Sequence, residues 1–393
     1  MNKHILNIEV QDFINNNLNS NIHDILLKGT SFATVETKDI VEQIEAKKRS
    51  EKKLLTWFRT EKIYYPNKLN IEQTSSEVTA LYKSELISGN SLIDLTGGFG
   101  VDSFYFSKQF NRVVHCEVNE ELSKIASHNF KQLNTNNIST IAHNGLNYLK
   151  ESKKQFDWIY IDPSRRNKSK GKVFFLTDCL PNIPENIDLL FKHSNNILIK
   201  TSPLLDITVG MNDLKYVKQI HVVAVNNEVK ELLWVLEKGF EHAICVFTTN
   251  IKKNSEETFD FLWDNEKTTN ATYSEPLTYL YEPNTALLKA GAFNIISKSL
   301  ALNKLHPHSH LYTNDKLIDF PGRTFKIEHI LPYNKKELQK LQIKKANITT
   351  RNFPENVEQL RKKFKISDGG YFYLFFTTNI HNEKIVLVTL KAE

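Results

Sequence analysis

Apolar positions recur along the chain in two different rhythms. Up to about residue 72 the spacing is helical, with Ile40, Val41 and Ile44 followed by Leu54, Leu55 and Phe58, and it predicts an N-terminal helical region over 1–72. Asp39 and Glu42 have the spacing of a capping box within it. From 73 to 250 short apolar runs alternate with helical stretches. The runs are Ser91–Leu95, Arg112–Glu117, Thr140–His143, Trp158–Asp162, Asn196–Lys200, Ile220–Val225 and Ala243–Thr248. The connections are long enough for crossover helices, so the pattern predicts an α/β fold with a seven-stranded parallel sheet in one domain. Residues 251–272 are polar and broken and read as a linker or an excursion. A short αβ block follows over 273–319, and 320–393 ends in strand-like runs, Tyr371–Thr377 and Lys384–Leu390. No internal repeat or low-complexity segment interrupts this order.

With 40% apolar and 24% charged residues over 393 positions, the chain can bury a sizeable core, which excludes a disordered protein. Its net charge of +6 excludes a histone-like polycation, but a sum can hide one basic segment. Residues 321–393 carry fourteen Lys or Arg against seven Asp or Glu, a surplus of seven that leaves residues 1–320 at −1. Cys116, Cys179 and Cys245 are odd in number and far apart, which argues against a disulfide framework or zinc ribbon and fits a reducing compartment. There is no apolar run of transmembrane length, and Glu9, Gln11 and Asp12 interrupt any signal-peptide core, so the expectation is a soluble cytoplasmic protein with no membrane partner.

The most informative stretch is Asp94-Leu95-Thr96-Gly97-Gly98-Phe99-Gly100-Val101-Asp102. An apolar strand enters a glycine-rich turn and then a helix, a geometry that lets backbone approach a ligand closely; a tight turn without a ligand is the plainer alternative. Glu117 closes the next strand, where a carboxylate can accept hydrogen bonds from a ribose diol. Asp94, at the first strand's end, suits a ligand with an ammonium group and repels a pyrophosphate. Asn144, after the third strand, can read an adenine edge or simply make a turn. The fourth strand ends in Asp162-Pro163-Ser164-Arg165-Arg166, which places a carboxylate and a donor-free carbonyl at the crevice, acceptors able to hold an exocyclic amine. Arg165 and Arg166 can contact phosphate or stack on a base, or be ordinary surface cations.

These residues resemble those of class I S-adenosylmethionine-dependent methyltransferases, whose first motif is similar to Asp94–Gly100 and whose amino-methyltransferase motif is similar to Asp162-Pro163-Ser164. More narrowly, the chain resembles a bacterial methyltransferase family with a ferredoxin-like module and a C-terminal THUMP-like domain. The matching blocks are Gln73–Ala80, Asp162–Arg166, Lys200–Pro203, Glu228–Leu233, Glu282–Asn284, Phe320–Arg323 and Ser367–Gly370. The resemblance implies a Rossmann-like seven-stranded core over 73–250, a ferredoxin-like module over 273–319 and a basic THUMP-like domain over 320–393. It implies S-adenosyl-L-methionine as cofactor, with contacts at Gln73, Ser75, Asp94, Thr96, Gly97, Gly98, Gly100, Asp102, Glu117 and Asn144, and Asp162, Pro163 and Ser164 at the transfer site. Thr74 and Glu77 also have capping-box spacing, so Ser75 and Ser76 can serve a helix start alone.

One departure from the pattern leaves the acceptor atom open. Pro163-Ser164-Arg165 replaces the usual Pro-Pro-aromatic, leaving Phe99, Tyr160 or Arg165 to stack on a flipped base. A carbon-5 pyrimidine mechanism needs a cysteine nucleophile, and Cys179 sits in an apolar context without that motif. RNA is the expected substrate, with Arg165, Arg166, Lys200, Arg361, Lys362 and Lys363 as candidate contacts; a solubilising or docking face is the alternative for the basic end. The run Lys47–Lys53 reads either as a nucleic-acid contact or as a solvated helix face. His306-Pro307-His308-Ser309-His310 lacks the accompanying ligands of a metal site, so no metal is expected. No nucleophile elbow, Walker A loop or His-Glu-x-x-His helix is present. The expected function is RNA base methylation. The alternatives are methylation of a protein or small molecule, or an RNA-binding protein that keeps the cofactor fold without catalysis; an NAD-dependent oxidoreductase stands further off.

Overall fold

A computed structural model describes residues 1–165 and 175–392; Arg166 lies outside them. Strands of four or more residues are numbered here in chain order. Β1 (Gly89–Asp94), β2 (Phe110–Cys116), β3 (Ile138–Ile141), β4 (Trp158–Ile161) and β5 (Asn196–Thr201) are all parallel and lie in the order β3-β2-β1-β4-β5. Leu92 and Ile93 are fully buried, as are Ile159 and Ile161 and Ile197 through Ile199. Unbroken apolar runs of this kind are what a sheet covered on both faces requires. The chain moves from β1 outward to β3, then returns to β4 on the other side, so a crevice opens at the carboxyl ends of β1 and β4.

The chain divides into two units, Met1–Val217 with Trp234–Phe240, and Lys218–Leu233 with Glu241–Glu393. In the first, helices Ile8–Asn16, Ile22–Lys28, Thr37–Lys53, Leu55–Arg59 and Lys68–Gln73 share one core with the flanks of the sheet. Ile40, Val41, Ile44 and Trp57 pack in the same cluster as Phe99, Phe104 and Phe130. The Trp57 ring lies 5.0 Å from Phe104 and 6.1 Å from Phe99. Within the Lys47–Lys53 run, Lys48, Arg49 and Lys52 are exposed, as a solvated helix face expects, but several of its cations also have partners. Lys47 is buried and bonds Asn15 Oδ1 at 2.7 Å, Arg49 pairs with Glu72, and Lys53 Nζ donates to the carbonyls of Ile71 and Glu72. The run ties helices to one another.

Both expected capping boxes are replaced. Helix Thr37–Lys53 starts at Glu36 with no side-chain cap. Helix Glu77–Glu85 is capped by Ser76, whose Oγ accepts from the Thr79 N–H, while Thr74 ends the preceding helix. Glu77 turns away to accept from Thr56 N and Oγ1 and from the Tyr105 hydroxyl. A shared carboxylate with three donors outbids a local cap.

The second unit contains most of β6 (Val217–Val225), with β8 (Cys245–Ile251) parallel to it and β9 (Glu256–Leu262) antiparallel to β8. β7 (Glu228–Glu237) and β9 are additional to the seven expected strands; β7 carries the buried apolar run Leu232–Leu236, whereas β9 has no such run. The supposed polar linker over 251–272 instead folds as β9 and helix Trp263–Thr268. β9 stands at its sheet's edge with alternate positions exposed, so it needs few apolar residues, and its Glu256, Glu257 and Asp260 hide it in a pattern search. A second sheet is built on β10 (Tyr279–Pro283), β11 (Gly322–Pro332), β12 (Asn347–Thr350), β13 (Phe372–Thr378) and β14 (Lys384–Lys391) in the order β10-β11-β14-β13-β12. Its pairs are antiparallel except β12 with β13. Leu374 and Phe376 belong to one core and Phe375 to another, so β13 buries both faces. Among the described residues no helix is long and apolar enough to cross a membrane.

Candidate active site

The turn after β1 is shaped by steric exclusion. A Cβ on Gly97 would lie 2.3 Å from His115 Nε2, and one on Gly100, where φ is +89°, would lie 2.5 Å from the Phe130 ring. The end of β2 fastens the turn: Gly97 N donates to the Cys116 carbonyl and Gly98 N to Glu117 Oε2, both at 2.8 Å. Glu117 Oε1 accepts from Asn119 N. The Gly98 N–H, a donor that a dinucleotide fold would offer to pyrophosphate, is thus already matched to a carboxylate.

Asp94 is buried at the end of β1 and accepts from Thr96 N at 3.0 Å and Ser103 Oγ at 2.7 Å. Ser103, in the first turn of helix Val101–Phe106, therefore serves the acid. Burial pushes the Asp94 carboxyl up to about 7, against those two hydrogen bonds and with the help of nearby Asp102 and Asp162. Thr96 Oγ1 accepts from Asp162 N at 2.7 Å, which joins the ends of β1 and β4. Lys200 Nζ, from β5, donates to Asp162 Oδ2 at 2.5 Å.

Asp102 is the hub of a second network. Its Oδ2 accepts from Ser75 Oγ and the Tyr160 hydroxyl, each at 2.8 Å, and Lys83 Nζ stands 3.3 Å from its Oδ1. Burial opposes ionisation of Asp102, but Lys83, Lys200 and the two hydroxyl donors outweigh it and hold the carboxyl below the usual range. Lys83 is fully buried. Sequence reasoning missed it because a lone lysine in a helical stretch carries no sign of burial.

Gln73, Ser75, Asp94, Thr96, Gly97, Gly98, Asp102, Glu117, Asn144, Asp162 and Ser164 line one cleft of about 860 Å³. Gly100 lies behind it as a packing position, and Pro163 is buried next to Asp162. Asn144 caps helix Gly145–Glu151 through Oδ1, accepting from Asn147 N. Leu180, Pro181, Asn182, Glu185 and Asn186 complete the lining, a wall that no motif announces. Among the described lining residues five are acids (Asp94, Asp102, Glu117, Asp162 and Glu185) and one, Lys150, is a base. Lys83 and Lys200, set against Asp102 and Asp162, offset two of these acids; Asp94, Glu117 and Glu185 remain against Lys150, a balance that suits a cationic ligand better than a polyphosphate.

Of the three substitutes for the missing aromatic, Tyr160 is corrected: it is buried, with its hydroxyl on Asp102. Phe99 lines the cleft while its ring packs near Trp57 and Tyr65. Arg165 lies in a two-residue strand paired with Cys179–Leu180. Cys179 is buried, with Sγ toward the Phe175 carbonyl, a setting for an inert thiol. In the second unit, Arg361 donates to the carbonyls of Ala346 and Ile366 and pairs with Asp368, and Lys363 pairs with Glu355. Lys362 is exposed. Among the described residues no group of three or more His, Cys, Asp or Glu is arranged to hold a metal.

Comparison with known proteins places this geometry. A family model described as a ferredoxin-like domain matches residues 279–321, and one described as THUMP domain-like matches 322–391. Comparison with curated proteins returns no match. An rRNA methylase from Streptococcus thermophilus is 15% identical, covering 42% of this chain and 95% of that one, with a TM-score of 0.31. A tRNA m1G37 methyltransferase from M. jannaschii is 12% identical over 43% of this chain and 51% of that one, with a TM-score of 0.30. At these scores neither likeness bears on what this chain does. A candidate methyltransferase from Porphyromonas gingivalis W83 is different in kind: 34% identity, 100% of this chain and 99% of that one covered, and a TM-score of 0.90. The chain belongs to the same family as that protein, a bacterial family of class I methyltransferases with a ferredoxin-like module and a C-terminal THUMP-like domain.

Proposed function

We propose that the protein transfers the methyl group of S-adenosyl-L-methionine to a base nitrogen of RNA, either ribosomal or transfer RNA. The observation that carries the reading is the acid-lined cleft at the carboxyl ends of β1 and β4, with Asp94, Glu117 and Asp162 on its wall. Asp94 and Asp102 suit an ammonium group at one end, and Glu117 suits a ribose diol, since each of its oxygens keeps a lone pair beyond its backbone donor. When bound, the cofactor would supply a methyl group on a sulfonium sulfur, whose thioether is a good leaving group for transfer to nitrogen. Asp162 Oδ1 accepts an N–H of the incoming amine and orients its lone pair, while Lys200 holds Oδ2 and fixes the carboxylate. The proton shed by the methylated nitrogen leaves to Asp162 or to water.

RNA is favoured over a protein or small molecule by the THUMP-like match and by the surplus of seven cations over 321–393. The test is incubation with methyl-labelled S-adenosylmethionine and total RNA from cells lacking the gene. Label that ribonuclease releases, and that Asp162→Ala prevents, is the expected result. Label released by protease alone would replace RNA with a protein substrate.

A further inference from the structure

The run His306–His310 and the blocks around Glu282 and Arg323 have no part in the cleft, yet the structure joins them within the second unit. Glu282, on β10, is 3% exposed and directly opposite Arg323 on β11. Its Oε2 accepts from Arg323 Nε at 2.7 Å and from Arg323 Nη2; its Oε1 accepts from Arg351 Nη2 at 2.9 Å. Arg351 follows β12, its N–H donating to the Phe376 carbonyl. One buried carboxylate therefore holds two arginines whose side chains stay 44% and 33% exposed. Among the described residues no protein acceptor takes Nη1 of either arginine, and Arg351 Nε is buried without a partner.

The charge at this seam does not cancel, since one carboxylate faces two guanidinium groups. His310 lies close enough to Arg351 to feel its charge. Its ring stacks on Phe293 with centroids 3.7 Å apart, and its Nδ1 is buried without a partner among the described residues. Burial first, then Lys304, Arg351 and His308, push the imidazole down to about 4, and no acid acts in the other direction. Lys304 is itself buried, bonding Asn294 Oδ1, with Glu266 as its acidic neighbour. His306 is consumed structurally by Asn382 and Asn352.

We infer that Arg323 and Arg351, held as a pair by Glu282, form a binding site for a phosphodiester group of RNA, an assignment that rests on the RNA reading above. Two preorganised guanidinium groups with free N–H donors match the oxygens of a phosphate, and the anion balances a positive charge that the fold leaves uncompensated. Glu282 is a positioning residue: it fixes the two planes and faces away from the ligand. The site spans the ferredoxin-like and THUMP-like segments, since Glu282 lies in one and both arginines in the other.

The experiment uses the full chain and a short fluorescein-labelled RNA stem-loop, with anisotropy read across a KCl series. The variant E282Q/R323Q/R351Q removes the buried acid together with both cations, so no carboxylate is left stranded; Lys28→Gln, at an exposed position, changes the net charge by the same single unit. The triple variant is expected to bind roughly 10–30-fold more weakly near 0.1 M salt and to lose about 0.7–0.9 from the log–log salt slope, the share of one phosphate, with Lys28→Gln close to wild type. Unchanged affinity and slope in a folded triple variant would overturn the site and leave the RNA reading standing. Failure of wild-type protein to bind the probe would instead overturn the RNA reading, and the site with it. Arginine-selective modification of wild-type protein, mapped by mass spectrometry, needs no variant to fold. RNA should protect Arg323 and Arg351, and equal modification with and without RNA would contradict the site.

Discussion

In the first unit the charges that shape the cleft are carboxylates, with cations placed behind them: Lys83 under Asp102 and Lys200 beside Asp162. In the second unit the order is reversed, since a buried carboxylate, Glu282, stands behind two half-exposed arginine side chains. In each case the buried partner fixes the geometry and the outer group carries the chemistry. An acid-faced cleft recruits a cation, and a guanidinium-faced seam recruits an anion. The overall +6 describes neither.

The largest effect expected is on catalysis. Asp162→Ala removes the acceptor and frees Lys200, and methyl transfer should fall by at least roughly 100-fold in a label-transfer assay. RNA affinity should stay within about twofold, because the cations of the second unit are untouched. A loss of RNA binding in this variant would break the division of labour between the units.

Next comes the buried partner in the first unit. Lys83→Met strands the Asp102 carboxylate in the interior, and stability should fall by about 3–5 kcal/mol, read by chemical denaturation. Gly97→Ala should cost about 1–3 kcal/mol, since its Cβ would meet the fully buried His115 ring, and it should also deform the cofactor turn. Wild-type stability in either variant would mean that the ground behind the cleft is softer than its contacts imply.

A subtler effect is on pH. The Asp94 carboxyl is raised to about 7, so its contribution to folding stability is present below its ordinary value of 3.8 and is lost as pH rises through about 7. Binding runs the other way, because an ammonium group prefers the ionised acid. Affinity for S-adenosylmethionine should rise with pH by up to about tenfold per unit below 7 and level off above it. Asp94→Asn should bind weakly with a flat profile. A steep profile that survives in this variant would assign the titration to another group.

How much of this was legible in the sequence follows from what each residue needs. Asp94, the Gly97–Gly98 turn, Glu117 and Asp162 announce themselves because strand ends, glycines and acids fall at fixed spacings, and they do line one cleft. Lys83, Tyr160 and Ser103 do not, because their roles depend on which helix faces which strand. The capping box at Thr74 was misread since long-range donors claimed Glu77 and Ser76 took the cap, and Asp39 lies inside a helix that starts at Glu36 without any side-chain cap. β9 escaped because an edge strand with one wet face looks like a polar linker. Arg361 and Lys363 formed the densest cationic run, yet their partners are Asp368 and Glu355; the less conspicuous Arg323 and Arg351 share one acid.

Calorimetric titration of the full chain with S-adenosylmethionine and, separately, with NAD tests the central claim most directly, because the two cofactors share a nucleoside and differ in the sign of the charge beyond it. The acid-faced cleft predicts saturable binding of S-adenosylmethionine, weakened by Asp94→Asn, and no measurable heat with NAD. Binding of NAD in preference to S-adenosylmethionine would contradict it.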